Sequence, residues 1–197
     1  MATAEYLTNN SVRRSWYLYD WANSAFSTTV ITLFLGPYLT SIAESAADAS
    51  GLINLWGISM RPGSLFPYVI SFSVFAQVFV LPIVGAIADR IKSRNGFLAI
   101  FAYLGAFSTI CLYFVKDQRF GLGAFLLIVA NISFGAALVV ANSYIPDLAS
   151  PDKRDAVSSR GWASGYAGGG LLLLLNLYLY SSFESFGITE AEAVRIS

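Results

Sequence analysis

Charge is missing from five long stretches of this chain and crowded into the gaps between them. Trp21–Ala43, Pro62–Ala88, Asn95–Val115, Phe120–Pro146 and Gly161–Phe183 contain no Asp, Glu, Lys or Arg. A helix needs about 20 apolar residues to cross the hydrocarbon core of a bilayer, and each window is long enough. The pattern therefore predicts an all-α, polytopic membrane helix bundle with five transmembrane helices, over about 17–43, 64–88, 96–115, 121–145 and 161–183. The bland alternative is a large soluble helical bundle.

Composition narrows the choice. The chain has 197 residues, 56% hydrophobic and 12% charged, where a soluble domain is about 45–50% apolar and about 25% charged. Mean hydropathy is +0.61. The formal net charge is zero, which gives no electrostatic basis for binding nucleic acid. Histidine is absent and the single cysteine, Cys111, lies inside an apolar window. No disulfide framework, no metal site of the usual kind and no cofactor are expected. Residues 1–15 are polar and the first apolar run is too long for a signal-peptide core, so no cleaved leader is expected.

The basic residues divide unevenly between the ends of the windows. Arg13, Arg14, Arg90, Lys92, Arg94, Lys153, Arg154 and Arg160 fall on one side; Arg61, Lys116, Arg119 and Arg195 fall on the other. The positive-inside rule places the first group, and with it the N-terminus, in the cytoplasm. Residues 146–160 form a cytoplasmic segment, in which Ser150 and Pro151 are expected to start a short helix on the membrane surface. Pro37 and Pro82 lie within spans and are expected to kink them.

Several polar residues sit inside the apolar windows. Asp20, Asn23 and Ser27 share one helical stripe, with Ser24 beside it. An ionisable group within the membrane is costly and turns toward protein or a water-filled cavity. Asp20 is therefore a candidate gating or proton-linked carboxylate, or else a partner for Arg90 or Arg160 that locks helix ends. Asn131 and Asn142 share a stripe on the fourth helix. Asn23, Ser27, Asn131 and Asn142 are candidate cavity-lining, solute-contacting residues; interhelical hydrogen bonding is the alternative. Gly161, Gly165 and Gly169 recur every fourth residue, the spacing of close helix packing. No HExxH, GxSxG, P-loop or dinucleotide fingerprint is present, so no enzyme is expected.

Three stretches carry a family resemblance. GAIADRIKSR, Gly85 to Arg94, resembles the loop between the second and third helices of the major facilitator superfamily. The resemblance implies that Gly85, Asp89, Arg90 and Arg94 form a conformational latch on the cytoplasmic side. GWASGYAGGG, Gly161 to Gly170, resembles the fifth-helix antiporter motif of that superfamily, with Tyr166 at its proline position. WYLYDWANSAFSTTV and IPDLASPDKRDAVSSRGWASGYAGG resemble the vacuolar effluxer branch, which includes the autophagy-related amino-acid permease of fungi.

That resemblance implies a permease moving amino acids or similar small solutes by alternating access, in the efflux direction. Such permeases have about twelve helices in two six-helix halves. Residues 1–197 are accordingly expected to be a partial N-terminal half, with a C-terminal half as its missing partner. The expected partners are a small-molecule solute and the lipid bilayer, and the expected location is a bacterial inner membrane. A non-transporting membrane scaffold, or a truncated remnant with a structural role only, is the rival reading.

Overall fold

The computed structural model describes residues 10–91 and 93–197. Lys92, counted above among the basic residues, lies outside the described residues. The first helical passage, Asn10–Ser45, has three parts. They are α1 (Asn10–Ala25), a π-helical stretch (Phe26–Phe34) and α2 (Leu35–Ser45).

The sequence supplies local causes for the widened middle part. Thr28 to Thr32 are all β-branched, and such residues crowd the α-helical turn. Hydroxyls also engage carbonyls: Thr28 Oγ1 donates to Ser24 O at 2.9 Å, and Thr32 Oγ1 donates to Ser27 O, five residues back, at 2.7 Å. Pro37 then enters α2 without an N–H to give.

A β-hairpin follows, β1 (Ile53–Leu55) paired antiparallel with β2 (Ile58–Met60). Its two-residue turn, Trp56-Gly57, has φ of 52° and 92°, the left-handed pair that matches strand twist. Ile53, Leu55 and Met60 are buried against Leu39, Leu65, Val69 and Leu127, so the hairpin caps one end of the bundle. The carboxylate of Asp48 accepts hydrogen bonds from Ser50 Oγ and from the Ser50 and Leu52 N–H groups. These bonds, the Ser50 hydroxyl first, hold its pKa below the ordinary carboxylate value.

The remaining helices are α3 (Leu65–Ala88), α4 (Arg94–Cys111), α5 (Phe120–Asn142), α6 (Ile145–Leu148), α7 (Arg154–Ser181) and α8 (Glu190–Ile196). α3 runs through Pro82 without interruption. α5 is the central helix, and both α3 and α4 pack on it. It is suited to that place because its buried face is rich in small residues, including Gly123, Ala124, Ala130, Gly135, Ala136 and Ala137. α7 packs on α1. The hairpin, the 115–119 turn and α8 lie at one end, here the hairpin end. The start of α1, the α3–α4 turn and the α5–α7 connection lie at the other, the basic end.

Between α5 and α7 a short 3₁₀ turn opens at Pro151 with Ser150 in the N-cap position, as the sequence suggests, but two details differ. Ser150 does not cap the helix with its side chain; it hydrogen-bonds to the Asp152 carboxylate, which lies below its ordinary pKa chiefly for that reason. The turn Pro151–Lys153 runs directly into α7, leaving no separate surface helix there.

Large apolar side chains face outward. Tyr68, Phe72, Phe75, Phe79 and Ile83 along α3, and Tyr103, Phe107 and Ile110 along α4, are exposed. Water would oppose such a surface, whereas lipid tails accept it. By length and apolarity, four helical stretches among the described residues can cross a bilayer: Asn10–Ser45, Pro62–Ala88, Arg94–Phe114 and Phe120–Leu148. α7 is not one of these four. It is long enough, with 28 residues, but five glycines between Gly161 and Gly170, together with Asn176, dilute its apolar content.

Candidate functional site: a central cavity and its polar edge

Where the π-helical stretch passes α4 and α5, the helices leave a cavity of about 410 Å³. Phe26, Phe101 and Phe134 form much of its wall, and Asn23, Tyr19 and Thr29 supply polar edges. Among the described residues no charged side chain lines it. A widened helical turn at a cavity is a frequent companion of function, because it redirects side chains that a regular helix would space differently. Here it presents Phe26, Thr29 and Val30 to the space. Phe26 and Phe134 meet on its wall as a tilted pair, with ring centroids 5.4 Å apart. The Tyr19 hydroxyl is buried and has no hydrogen-bond partner among the described residues.

The four amide and hydroxyl candidates separate in space. Asn23 is on the cavity wall. The Ser27 hydroxyl donates to Ser24 O in its own helix at 3.1 Å. Asn131 faces α3: its Nδ2 donates to Ser73 Oγ at 2.7 Å, and its backbone carbonyl accepts from Gln77 Nε2 at 3.2 Å. Ser73 is fully buried and donates to Ile70 O at 2.8 Å. Asn142 is exposed at the last residue of α5. Eleven residues therefore carry the two asparagines from an interhelical contact to a helix end, and only Asn23 of the four reaches the cavity.

Asp20 lies in the seam between α1 and α7. A Cβ built on Gly165 would sit 2.9 Å from Asp20 Oδ2 and 2.5 Å from Ser24 Oγ. The carboxylate has no ion-pair or hydrogen-bond partner among the described residues, and neither Arg90 nor Arg160 pairs with it. Along the same seam Gly161 faces the Trp16 ring, Gly168 the Trp21 backbone carbonyl and Gly169 Thr28. Ser164 Oγ adds a hydrogen bond to Tyr17 O at 2.9 Å. Gly168 is a contact point outside the four-residue spacing, a consequence of 3.6 residues per turn bringing the i+3 position onto the same face.

At the basic end Arg94 does most of the tying. Its Nη1 is 2.7 Å from Asp147 Oδ2 and 2.9 Å from Ser143 O, and its guanidinium lies over the Tyr144 ring at 5.6 Å. Tyr144 in turn donates to Asn95 Oδ1 at 2.6 Å. Asp89 and Arg90 are exposed and unpaired among the described residues, and Gly85 meets Val139 at ordinary contact distance. Asp147, Tyr19, Ser73, Gln77 and Gly168 were not singled out in the sequence. Asp147 follows the apolar window directly, but only the turn of chain at α6 brings it to Arg94.

Membrane-length helices around an uncharged cavity define a polytopic integral membrane protein. The chain belongs to the family described as vacuole effluxer Atg22-like, which it matches over residues 8–197. It is 30% identical over 186 residues to the uncharacterized MFS-type transporter YxiO of Bacillus subtilis, an alignment covering 93% of this chain and 41% of that protein. It is 38% identical over 107 residues to autophagy-related protein 22 of Yarrowia lipolytica, covering 54% of this chain and 18% of the relative. With the Pyricularia oryzae protein of the same name the identity is 26% over 162 residues, covering 71% and 24%. The chain thus spans less than half the length of these curated relatives. No solved structure matches it.

Proposed function

We propose that this chain is the N-terminal portion of a secondary transporter that moves amino acids or similar small solutes by alternating access, in the efflux direction. The observation that carries this reading is the uncharged, aromatic-walled cavity with Asn23 at its edge, in a chain of an effluxer family. A transporter site commonly sits near the bilayer midplane between two halves. On this reading a C-terminal half closes the second wall, and α7 is the fifth crossing.

Asn23 and Tyr19 contact solute. Asn131 ties α3 to α5 instead. Asp20 acts at the α1–α7 seam as the gating or proton-linked group. Arg94, held by Asp147, is the acting member of the basic-end latch. The basic end faces the cytoplasm of a bacterial inner membrane.

The test is flux of labelled amino acids in membrane vesicles holding the complete gene product. Saturable, substrate-dependent flux that falls on Asn23→Ala is expected. No flux for any member of a broad solute panel would sink the reading.

A further inference from the structure

A second cavity, about 390 Å³, adjoins the central one toward the hairpin end and shares Thr29, Val30, Thr109, Ile110 and Ser197 with it. Arg195 of α8 is the one charged side chain on its walls among the described residues. That side chain is only 13% exposed. Its Nε is covered and has no hydrogen-bond acceptor among the described residues. The nearest carboxylate oxygen, Glu192 Oε1, lies 3.9 Å from Nη2, the outer limit of an ion pair, and the Tyr113 ring lies below at 5.6 Å.

A guanidinium has five N–H donors, and burying it without acceptors costs free energy that an anion would recover. The neighbouring acids are engaged elsewhere. Glu190 accepts from the Tyr180 hydroxyl, and Glu192 accepts from the Thr189 N–H and hydroxyl through Oε2, leaving only the distant Oε1 toward Arg195. Lys116 and Asp117 line the outer space beside Arg195 and bring opposite charges.

We propose that Arg195 anchors the carboxylate of the transported solute, a deepening of the transporter reading above that rests on it. A carboxylate fits the guanidinium fork with two parallel hydrogen bonds. The solute's apolar body then extends into the uncharged central cavity toward Phe26 and Phe134. The site selects a small organic monocarboxylate with an apolar body and discriminates against a cation of the same shape.

The test is equilibrium binding to the complete gene product in lipid nanodiscs with three labelled probes. Leucine carries both charges, 4-methylpentanoate keeps the carboxylate, and isopentylamine keeps the amine. Wild type is expected to bind leucine and 4-methylpentanoate and to bind isopentylamine at least about tenfold more weakly, the scale of a charge-assisted hydrogen-bond pair. Arg195→Gln is expected to lose that preference and Arg195→Lys to keep part of it.

Wild type that binds isopentylamine as tightly as 4-methylpentanoate overturns the anchor without any variant having to fold, and leaves the transporter reading standing. Unchanged carboxylate preference in Arg195→Gln overturns it too, and so does a wild type that binds none of the three. The flux assay tests the transporter reading separately.

Discussion

Two asparagines show how a polar residue in an apolar window divides into opposite roles. Asn23 borders empty space, whereas Asn131 is engaged on both sides by α3. Asn131→Ala removes one interhelical side-chain hydrogen bond and leaves Ser73 with its own acceptor, Ile70 O. The expected cost is about 0.6 kcal/mol, the average for such bonds in membranes, seen as a lower unfolding midpoint in detergent with solute binding intact. Asn23→Ala is expected to do the reverse, leaving the midpoint in place and weakening flux. The Arg94–Asp147 pair is partly open to water, at 29% and 49% side-chain exposure, so solvent screening limits it. A double-mutant cycle with Arg94→Gln and Asp147→Asn should return a coupling of about 0.2–1 kcal/mol. A coupling near zero would reduce the pair to a surface contact and remove the latch role. Sequence alone placed Asn23 and Asn131 on equal terms, because a helical wheel gives the direction of a side chain within its helix and not what stands opposite.

Among the elements, α7 depends on the residues it lacks. A methyl group on Gly168 would meet the backbone carbonyl of Trp21, which has nowhere to retreat, while one on Gly170 meets nothing within 4 Å. Gly168→Ala should therefore cost about 1–3 kcal/mol, the usual range for overpacking. Gly170→Ala should be neutral or slightly stabilising, since alanine favours the helix. Equal thermal stability of the two variants would show that α1 and α7 do not meet as described. The glycine repeat was legible as a packing signal, but the wheel could not say that Trp16 and Trp21 fill the grooves it opens. The α8 cap offers a pH-dependent case. Thr189 and Glu192 form a reciprocal capping box, and the Thr189 N–H and hydroxyl hold the Glu192 pKa below its ordinary 4.5. A depressed carboxylate stabilises the folded form at pH values above its unfolded pKa, and that stabilisation fades as pH falls through the lower folded value. Amide exchange across α8, corrected for intrinsic rate, should show full protection at neutral pH and loss only in the acid range below the unfolded value. Thr189→Ala removes the hydroxyl but keeps the N–H, and should weaken the pH dependence of that protection, whereas Glu192→Gln should abolish it. The five uncharged windows revealed the long helices because hydrocarbon tolerates so little charge. The hairpin at Trp56-Gly57 escaped notice because two three-residue strands leave almost no alternation to read.

At the scale of the whole molecule, position follows from which surface each end can tolerate. The outward faces of α3 and α4 carry aromatic and branched apolar side chains, so the bundle must stand in lipid with its two polar ends in water. The basic end holds Arg13, Arg14, Arg90, Arg94, Lys153, Arg154 and Arg160, and under the proposed orientation, which follows the positive-inside rule, it faces the cytoplasm. Cys111 is the sole cysteine of residues 1–197 and lies within a helix, so Cys111→Ser clears this part for labelling, with any cysteines of the remaining gene product likewise replaced by serine. Ser50 stands exposed beside the hairpin and Lys153 stands exposed in the α5–α7 connection. In intact cells a membrane-impermeant maleimide is expected to label Ser50→Cys and to spare Lys153→Cys until the membrane is opened. The arrangement of α1, α3, α4 and α5 fixes these two sites at opposite ends, so labelling of both from the same side would overturn the membrane placement itself. Labelling of Lys153→Cys alone would preserve the bundle and reverse its direction. Cysteines placed at Ala22 and Ala106, which line the central cavity, then report access to the solute path: in the complete gene product, solute is expected to slow their labelling, and solute-independent labelling of both would move the path out of this cavity.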